Sequence, residues 1–429
     1  MVDLKLIREQ PDLFRAGLRK KRADPGLVDR ALDADRRRRE LVQQVEALRA
    51  AQNRASQEIP NLSGAARGER IEEMKRIAAQ VKAQEPPLQE AEAGLQAVLL
   101  QIPNLPHPSV PEGGPDDSVT LRVVGTPPEF DFKPRDHVEL GAALDLLDIE
   151  RSARVSGSRS YFLRGDGALL QLAVIRFAVD RLIAEGFTPV IPPVLVRREN
   201  MIGMMGGASL DEQMVYRIEG EDLALAGTSE MALGSMLGGE VLNEADLPIR
   251  FCGISTCFRR ESGAHGKDTR GIFRVHQFDK VEMFSYCHPQ RSWEEHEYLV
   301  GTQERLWQAL GLPYRVVNIA GGDLGDPAAR KYDIETWMPG RGAFGETQSC
   351  SNCTDFQARR LNVRFRRRDG GGIDFVHTLN GTAVACPRTI IAIVENFQQA
   401  DGSVRIPAPL VPYMGGRTTL HPGAAKAAR

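Results

Sequence analysis

Cysteine, tryptophan and net charge are all scarce in this sequence. Six cysteines and three tryptophans in 429 residues are too few and too scattered for the disulfide framework that a small coreless chain needs. Cys350 and Cys353 form the one Cys-x-x-Cys pair. No second pair lies nearby to complete four ligands, so they read as two buried thiols and no zinc is expected. No apolar run approaches the roughly 18–20 residues of a membrane span, and Met1-Val2-Asp3-Leu4-Lys5 lacks the apolar stretch of a signal peptide. A cytoplasmic protein without a membrane partner is the expectation. A G-x-x-x-x-G-K-[ST] phosphate loop is missing as well. The net charge of −2, from 55 Lys and Arg against 57 Asp and Glu, shows no sign of a polyanionic partner when taken whole, but a total hides its distribution.

The length leaves room for two or three domains, each with a core of its own. Hydrophobic residues at 42% and charged residues at 26% exclude a wholly disordered chain. Charge is unevenly spread. Residues 1–100 hold 19 Lys and Arg against 16 Asp and Glu, which leaves 36 against 41 beyond them. Residues 1–54 alone hold 14 against 9, densest at Arg36-Arg37-Arg38-Arg39.

The same segment carries a 4-3 spacing from Leu27 through Ala31, Ala34, Arg38, Leu41, Val45, Leu48, Gln52, Ala55 and Ile59. A second seam runs through Met74, Ile77, Val81, Gln84, Leu88, Ala91, Leu95 and Val98. Pro60-Asn61-Leu62-Ser63-Gly64 separates the two, with the residues that stop a helix and turn the chain. Two long seams around a short breaker predict an antiparallel helical hairpin. A helix of about 33 residues is on the order of 50 Å long, which suits a projecting arm. Pro86-Pro87 in the second seam predicts a kink or break. A dimerisation seam would explain the pattern, but the basic excess of the first helix favours a polyanionic partner.

Residues 101–135 are rich in Pro and Gly and read as a linker. Beyond them a helix is expected near 167–185. Strands are expected near 188–196, 249–260, 272–286, 314–320, 332–338, 343–349 and 373–379, with a helix from about 387. This is an α+β pattern with a mostly antiparallel sheet flanked by helices.

Three clusters could carry chemistry. The first runs from Cys257 to Glu282 and reads as strand, Gly-rich loop, strand. Side chains alternate at period 2, so Arg274, His276, Phe278, Lys280 and Glu282 share one face, and Arg259 and Glu261 share one on the partner strand. The loop adds Lys267 and Arg270. A solvated sheet face would also be charged, but the opposite face, with Phe273, Val275 and Val281, is apolar and suits burial. Phe278 among charges is suited to stack a base, with Arg groups at hand for phosphates. The second cluster is Glu346-Thr347-Gln348-Ser349, whose carboxylate and hydroxyl could share one hard cation such as Mg²⁺. The G-x-G-x-x-G match at Gly340–Gly345 follows Pro339 and opens no helix, so it reads as a turn. In the third cluster, from Leu379 to Asn396, Pro387 suits the first position of a helix. Arg388 then stands in the first turn, where a cation opposes the dipole unless an anion faces it.

Together these residues resemble the class II aminoacyl-tRNA synthetases, and within them the bacterial seryl-tRNA synthetases, over nearly the whole chain. Gly186–Pro193 is similar to that class's motif 1, Phe258–Glu282 to motif 2, and Gly381–Glu395, centred on Arg388, to motif 3. Thr228-Ser229-Glu230 and the long N-terminal hairpin resemble features of the seryl enzymes. The resemblance implies a tRNA-binding arm at 1–105 and a catalytic domain at 106–429. The implied reaction is ATP-dependent activation of L-serine to seryl-adenylate, then transfer to the 3′ end of tRNA(Ser), with tRNA(Sec) as a further substrate and a homodimer as the assembly.

It also implies roles for residues. Arg259, Arg388 and Glu346 would be catalytic, with Arg259 on the α-phosphate and the serine carboxylate. Arg260, Glu261, Arg274, Val275, Phe278, Thr347 and Gln348 would complete the ATP site, and Glu346 with Ser349 would hold Mg²⁺. Thr228, Ser229, Glu230, Glu282 and Thr382 would bind serine. Thr347-Gln348 stands where many members have an apolar residue and Ser, and Ala385-Cys386-Pro387 where Gly is frequent; neither change removes a charged group. A ligase of the same fold that loads a carrier protein is the alternative, and the long hairpin argues against it.

Overall fold

The structure, a computed structural model, describes residues 1–206, 215–261 and 270–423. The chain divides into one unit of residues 2–103 and another of residues 104–429 with Met1.

In the first unit two short helices, Leu4–Glu9 and Pro11–Lys20, precede α1 (Gly26–Glu58) and α2 (Gly64–Gln101). Every seam position from Leu27 to Ile59 and from Met74 to Val98 is buried or half-buried, as the 4-3 spacing requires. Asp35 is fully buried in α1. Burial works against its ionisation, yet Arg8, which donates two 2.8 Å hydrogen bonds, and Arg39, at 3.0 Å, hold its carboxyl below the usual range. Arg36, Arg37 and Arg39 are exposed. Arg38 reaches Glu92 of α2 at 3.4 Å.

Of the kink or break expected at Pro86-Pro87, the break does not occur, for α2 continues from Gly64 to Gln101 with both prolines inside. Each proline removes the hydrogen bond to the carbonyl four residues back. Those carbonyls belong to Lys82 and Ala83, both exposed, so water can take the freed acceptors and the helix survives.

The second unit is built on eight strands: β1 (Val119–Val124), β2 (Thr188–Val190), β3 (Ile249–Phe258), β4 (Gln277–Cys287), β5 (Tyr314–Asn318), β6 (Arg330–Met338), β7 (Ala343–Asn352) and β8 (His377–Ala385). Their spatial order is β1-β5-β6-β7-β8-β4-β3-β2. Neighbours are antiparallel except β2 with β3.

Four expectations need correction. The 101–135 linker contains β1, an edge strand. The strand expected at 188–196 is split into β2 and Leu195–Arg197, because Pro192 and Pro193 have no N–H for a ladder. The strand expected at 272–286 begins only at Gln277, and the one expected at 373–379 divides into Ile373–Phe375 and the longer β8. The G-x-G-x-x-G segment is the turn between β6 and β7, with Arg341 N–H donating to Met338 C=O at 3.0 Å and Gly342 at φ +61°.

Helices α3 (Asp166–Ala184), α4 (Ser292–Leu310) and α5 (Cys386–Asn396) pack on the sheet. Leu170, Phe177, Leu299, Trp307 and Ile390 belong to their shared core. Trp307 is buried whole, and its indole N–H finds the one partner it needs in Thr336 Oγ1 at 2.6 Å. Gln303 ties α4 to two strands at once. Its Nε2 donates to Ser349 C=O on β7 and to Thr382 C=O on β8, both at 2.8 Å, which fixes the two strands side by side below one cavity.

Candidate active site

The cavity is lined from β4, β7, β8 and the start of α5, and from the segments around Thr228 and Arg274. Ladder register assembles it. Gly253 of β3 pairs with Glu282 of β4, and Glu282 with Thr382 of β8. Alternation along β4 then brings Phe278, Lys280 and Glu282 to one wall. Phe273, Val275 and Val281, expected on an opposite buried face, are 8%, 4% and 0% exposed, but Phe273 and Val275 line this cavity beside Arg274, because strand alternation begins only at Gln277.

One half of the cavity is cationic. Arg259 donates from Nε to Gly227 C=O at 3.2 Å, and its guanidinium lies 5.4 Å from the centre of the Phe278 ring. Arg274 pairs with Glu261 at 2.5 Å. The late start of β4 explains how, because residues 271–275 leave the ladder and carry Arg274 to a residue that precedes the Gly-rich loop. Glu261 itself holds φ +52°, an uncommon conformation for a residue with a side chain and one that clusters at functional sites. Arg388, in the first turn of α5 behind Pro387, donates to Phe273 C=O at 3.2 Å and Glu346 C=O at 2.9 Å, and meets the Glu346 carboxylate at 3.3 Å. The cation that opposes the helix dipole is thus faced by an anion. Loss of water around Glu346 opposes its ionisation, but the charges of Arg388 and Lys331 hold its carboxyl below the usual range.

The other half is a buried charge network. Lys280 and Glu282 are 5% and 2% exposed and lie 2.5 Å apart. Lys280 Nζ also donates to Thr228 Oγ1 at 2.7 Å, and Thr382 Oγ1 donates to Glu282 at 3.2 Å. Glu230 accepts from Gln357 at 2.7 Å and from Asn380 at 3.1 Å. Burial, then the charge of Glu282, push its carboxyl up to about 7. Lys280, Asn380 and Gln357 were not read as binding residues from the sequence, since alternation gave Lys280 a face but no partner.

Of the expected residues, Thr228, Glu230, Arg259, Glu261, Arg274, Val275, Phe278, Glu282, Glu346, Thr347, Ser349, Thr382 and Arg388 line this cavity together. Three stand elsewhere. Arg260 is exposed and does not line it. Ser229 is buried with its hydroxyl 2.7 Å from that of Ser255, packed so closely on Gly253 that a Cβ there would lie 2.7 Å from its own. Gln348 points into the core, where its Nε2 donates to Ala383 C=O at 2.7 Å, because a register shift between Ile334 and Glu335 falls opposite Thr347. Lys267 lies outside the described residues.

Glu346 and Ser349 offer one carboxylate and one hydroxyl oxygen on the same wall. Among the described residues no group of three His, Cys, Asp or Glu could hold a metal alone. Two hard oxygens suit Mg²⁺, which keeps waters and takes phosphate oxygens for its other positions.

The profile of the tRNA synthetase class II core domain (G, H, P, S and T) matches residues 214–397, and that of the seryl-tRNA synthetase N-terminal domain matches residues 1–106. The serine–tRNA ligase of Acidothermus cellulolyticus is 49% identical over 97% of this chain and 98% of its own length. That of Rhodococcus jostii is 50% identical over 97% and 99%. The crystal structure of seryl-tRNA synthetase from Pyrococcus horikoshii complexed with ATP superposes with a TM-score of 0.94 at 43% identity, covering 98% of this chain and 100% of that one.

Proposed function

The chain belongs to the seryl-tRNA synthetase family, and we propose that the cavity performs that family's serine–tRNA ligase reaction with the residues gathered in it. A serine carboxylate oxygen attacks the α-phosphorus of ATP, the bond to the β-phosphate oxygen breaks, and pyrophosphate leaves with the electron pair. No protein nucleophile is needed, only alignment and compensation of the charge that moves towards pyrophosphate. Arg259, in the cationic half beside Phe278, would hold both the α-phosphate and the serine carboxylate. Phe278 offers a face to adenine with Val275 beside it, Glu261 reads its edge, and Arg274 and Arg388 take the outer phosphates. Mg²⁺ bound by Glu346 and Ser349 would add Lewis-acid neutralisation of phosphate oxygens. In the second step the terminal adenosine hydroxyl of the tRNA attacks the adenylate carbonyl and AMP leaves.

Serine specificity rests on the buried half. Glu230 takes the ammonium, with Thr228 beside it, and Glu282 and Thr382 take the hydroxyl. One observation carries this reading. A carboxylate held by Lys280 and a hydroxyl that donates to that carboxylate, those of Glu282 and Thr382, are both buried in the wall of the cavity that Arg259 also lines. A substrate without a hydroxyl leaves the acceptor capacity of Glu282 beyond Lys280 and Thr382 unused once water is excluded, which can cost on the order of 10⁴-fold in kcat/KM in favourable cases. Pyrophosphate exchange with a panel of amino acids tests it. Serine should exceed alanine, glycine and threonine, and preference for any other amino acid overturns the assignment.

The basic face of α1 is proposed as a site for tRNA(Ser), and for tRNA(Sec) where that tRNA exists, bound through shape and phosphates. A homodimer is proposed from Leu172, Ile183 and Ile191, which are 62%, 47% and 84% exposed on and just after the segment that leads into motif 1. A cytoplasmic setting accords with these substrates, and among the described residues no helix is long and apolar enough to cross a membrane.

A further inference from the structure

One buried polar pair next to the cavity has no part in binding serine or in the charge network. His137 is 6% exposed and Glu395 is 0% exposed. The Ile272 N–H donates to His137 Nε2 at 3.2 Å, so Nε2 is an acceptor and the ring proton sits on Nδ1, which donates to Glu395 Oε1 at 2.9 Å. Glu395 Oε1 also accepts from His137 N–H, and Oε2 from Gly340 N–H, each at 2.9 Å. Gly271, at φ +71°, closes over the ring, and a Cβ there would stand 1.9 Å from Nε2.

Helix α5 therefore meets the 271–275 segment at two points. Near its start, Arg388 grips Phe273 C=O and stacks on the Phe273 ring at 4.5 Å. Two turns later, Glu395 reaches Ile272 N–H through the imidazole. Residues 271–275 have left the β4 ladder, so sheet hydrogen bonds do not fix them, yet they carry Arg274 and Val275 into the cavity.

We propose that His137 is a positioning residue for ATP: its imidazole is the spacer that sets the separation between α5 and the 271–275 segment, and so the placement of Arg274 and Phe273 opposite Arg388. This rests on the reading of that wall as the nucleotide side.

The test is pyrophosphate exchange by the full chain with ATP and serine varied separately. His137→Ala should raise KM for ATP about tenfold and leave KM for serine within about twofold, since Glu282 and Thr382 of the serine half are fixed in the ladders of β4 and β8 and not by the 271–275 segment. Equal movement of the two constants, or of neither, overturns the proposal. If loss of the ring, which strips Ile272 N–H of its acceptor and Glu395 of one of its three donors, leaves the variant unable to fold, Gly271→Ala gives an independent reading, because its methyl collides with the ring and should produce the same ATP-selective defect. Where both fold, the double variant decides. Backbone strain at φ +71° is common to both backgrounds and cancels, so Gly271→Ala should cost clearly less once the ring is gone. Additive effects overturn the spacer role. Arg274→Ala serves as the control for the site itself. If it leaves KM for ATP unchanged, the reading of the wall has failed. If it raises KM for ATP and His137→Ala does not, the spacer alone has failed.

Discussion

The arm and the cavity use the same side chains in opposite ways. On the arm, Arg36 and Asp33 lie 3.3 Å apart with side chains 65% and 68% exposed. In the cavity, Lys280 and Glu282 lie 2.5 Å apart at 6% and 3%. An exposed pair contributes about 0–1 kcal/mol and is screened by salt. Breaking a buried pair leaves a charge without a partner and costs roughly 3–5 kcal/mol. Exposed arm charges such as Arg36 and Arg37, unlike the buried Asp35 that Arg8 and Arg39 hold, are therefore nearly free of structural duty and available to a partner, whereas cavity charges are fixed before any substrate arrives. The near-neutral total of −2 averages these two regimes and describes neither.

The largest effect should come from a cavity cation that is not locked into the buried network. Arg388→Ala removes a guanidinium held by two carbonyls and Glu346. Adenylate formation should fall about 10²–10³-fold, the scale of losing one electrostatic stabiliser, while folding stability changes by about 1–2 kcal/mol at most. Pyrophosphate exchange and a thermal melt read the two quantities. A melt that collapses in step with activity would make Arg388 structural and erase the contrast with the arm.

Next in size is the arm's own response. Arg36→Glu with Arg37→Glu in the full chain should raise KM for tRNA about tenfold near 0.1 M salt, with the difference shrinking at higher salt, because phosphate contacts act through counterion release. Amino-acid activation and melting temperature should not move. If charging is unaffected, the basic face serves something other than tRNA.

How far each region could be read in advance obeys the same division. The arm was legible because two 4-3 repeats, Leu27–Ile59 and Met74–Val98, flank a short helix-breaking turn; the continuity of the helix through Pro86-Pro87 was missed, since it depends on which carbonyls face water, as were the two short helices before Gly26. In the cavity, residue types and alternation gave Phe278, Lys280 and Glu282 a common wall. They could not show that β4 starts five residues late, that a register shift turns Gln348 inward, or that Lys280 locks Glu282. Those depend on packing between strands far apart in sequence. Strand β1 was hidden for a different reason, because Val119–Val124 lies between Pro- and Gly-rich runs and is exposed along nearly its whole length, so no alternation marks it. His137 gave no signal at all, as one histidine in a polar stretch carries no period.

The smallest expected effect separates the two halves of the cavity itself. Burial and the charge of Glu282 push Glu230 up to about 7, and a carboxylate must be ionised to hold an ammonium. As pH falls from 7 to 6, the ionised share of Glu230 drops from about a half to about a tenth, while serine's ammonium stays charged throughout. The value of kcat/KM for serine, which reports the free enzyme's groups, should therefore fall about fivefold over that unit of pH. The corresponding value for ATP, measured at saturating serine, should change much less, because once serine is bound its ammonium holds Glu230 ionised well below pH 7. Glu230→Gln should flatten the serine profile at a lower level, as the amide keeps its place beside Gln357 and Asn380 but carries no charge to titrate. A serine profile that is flat in the wild type would place the ammonium elsewhere and leave Glu230 as part of the packing.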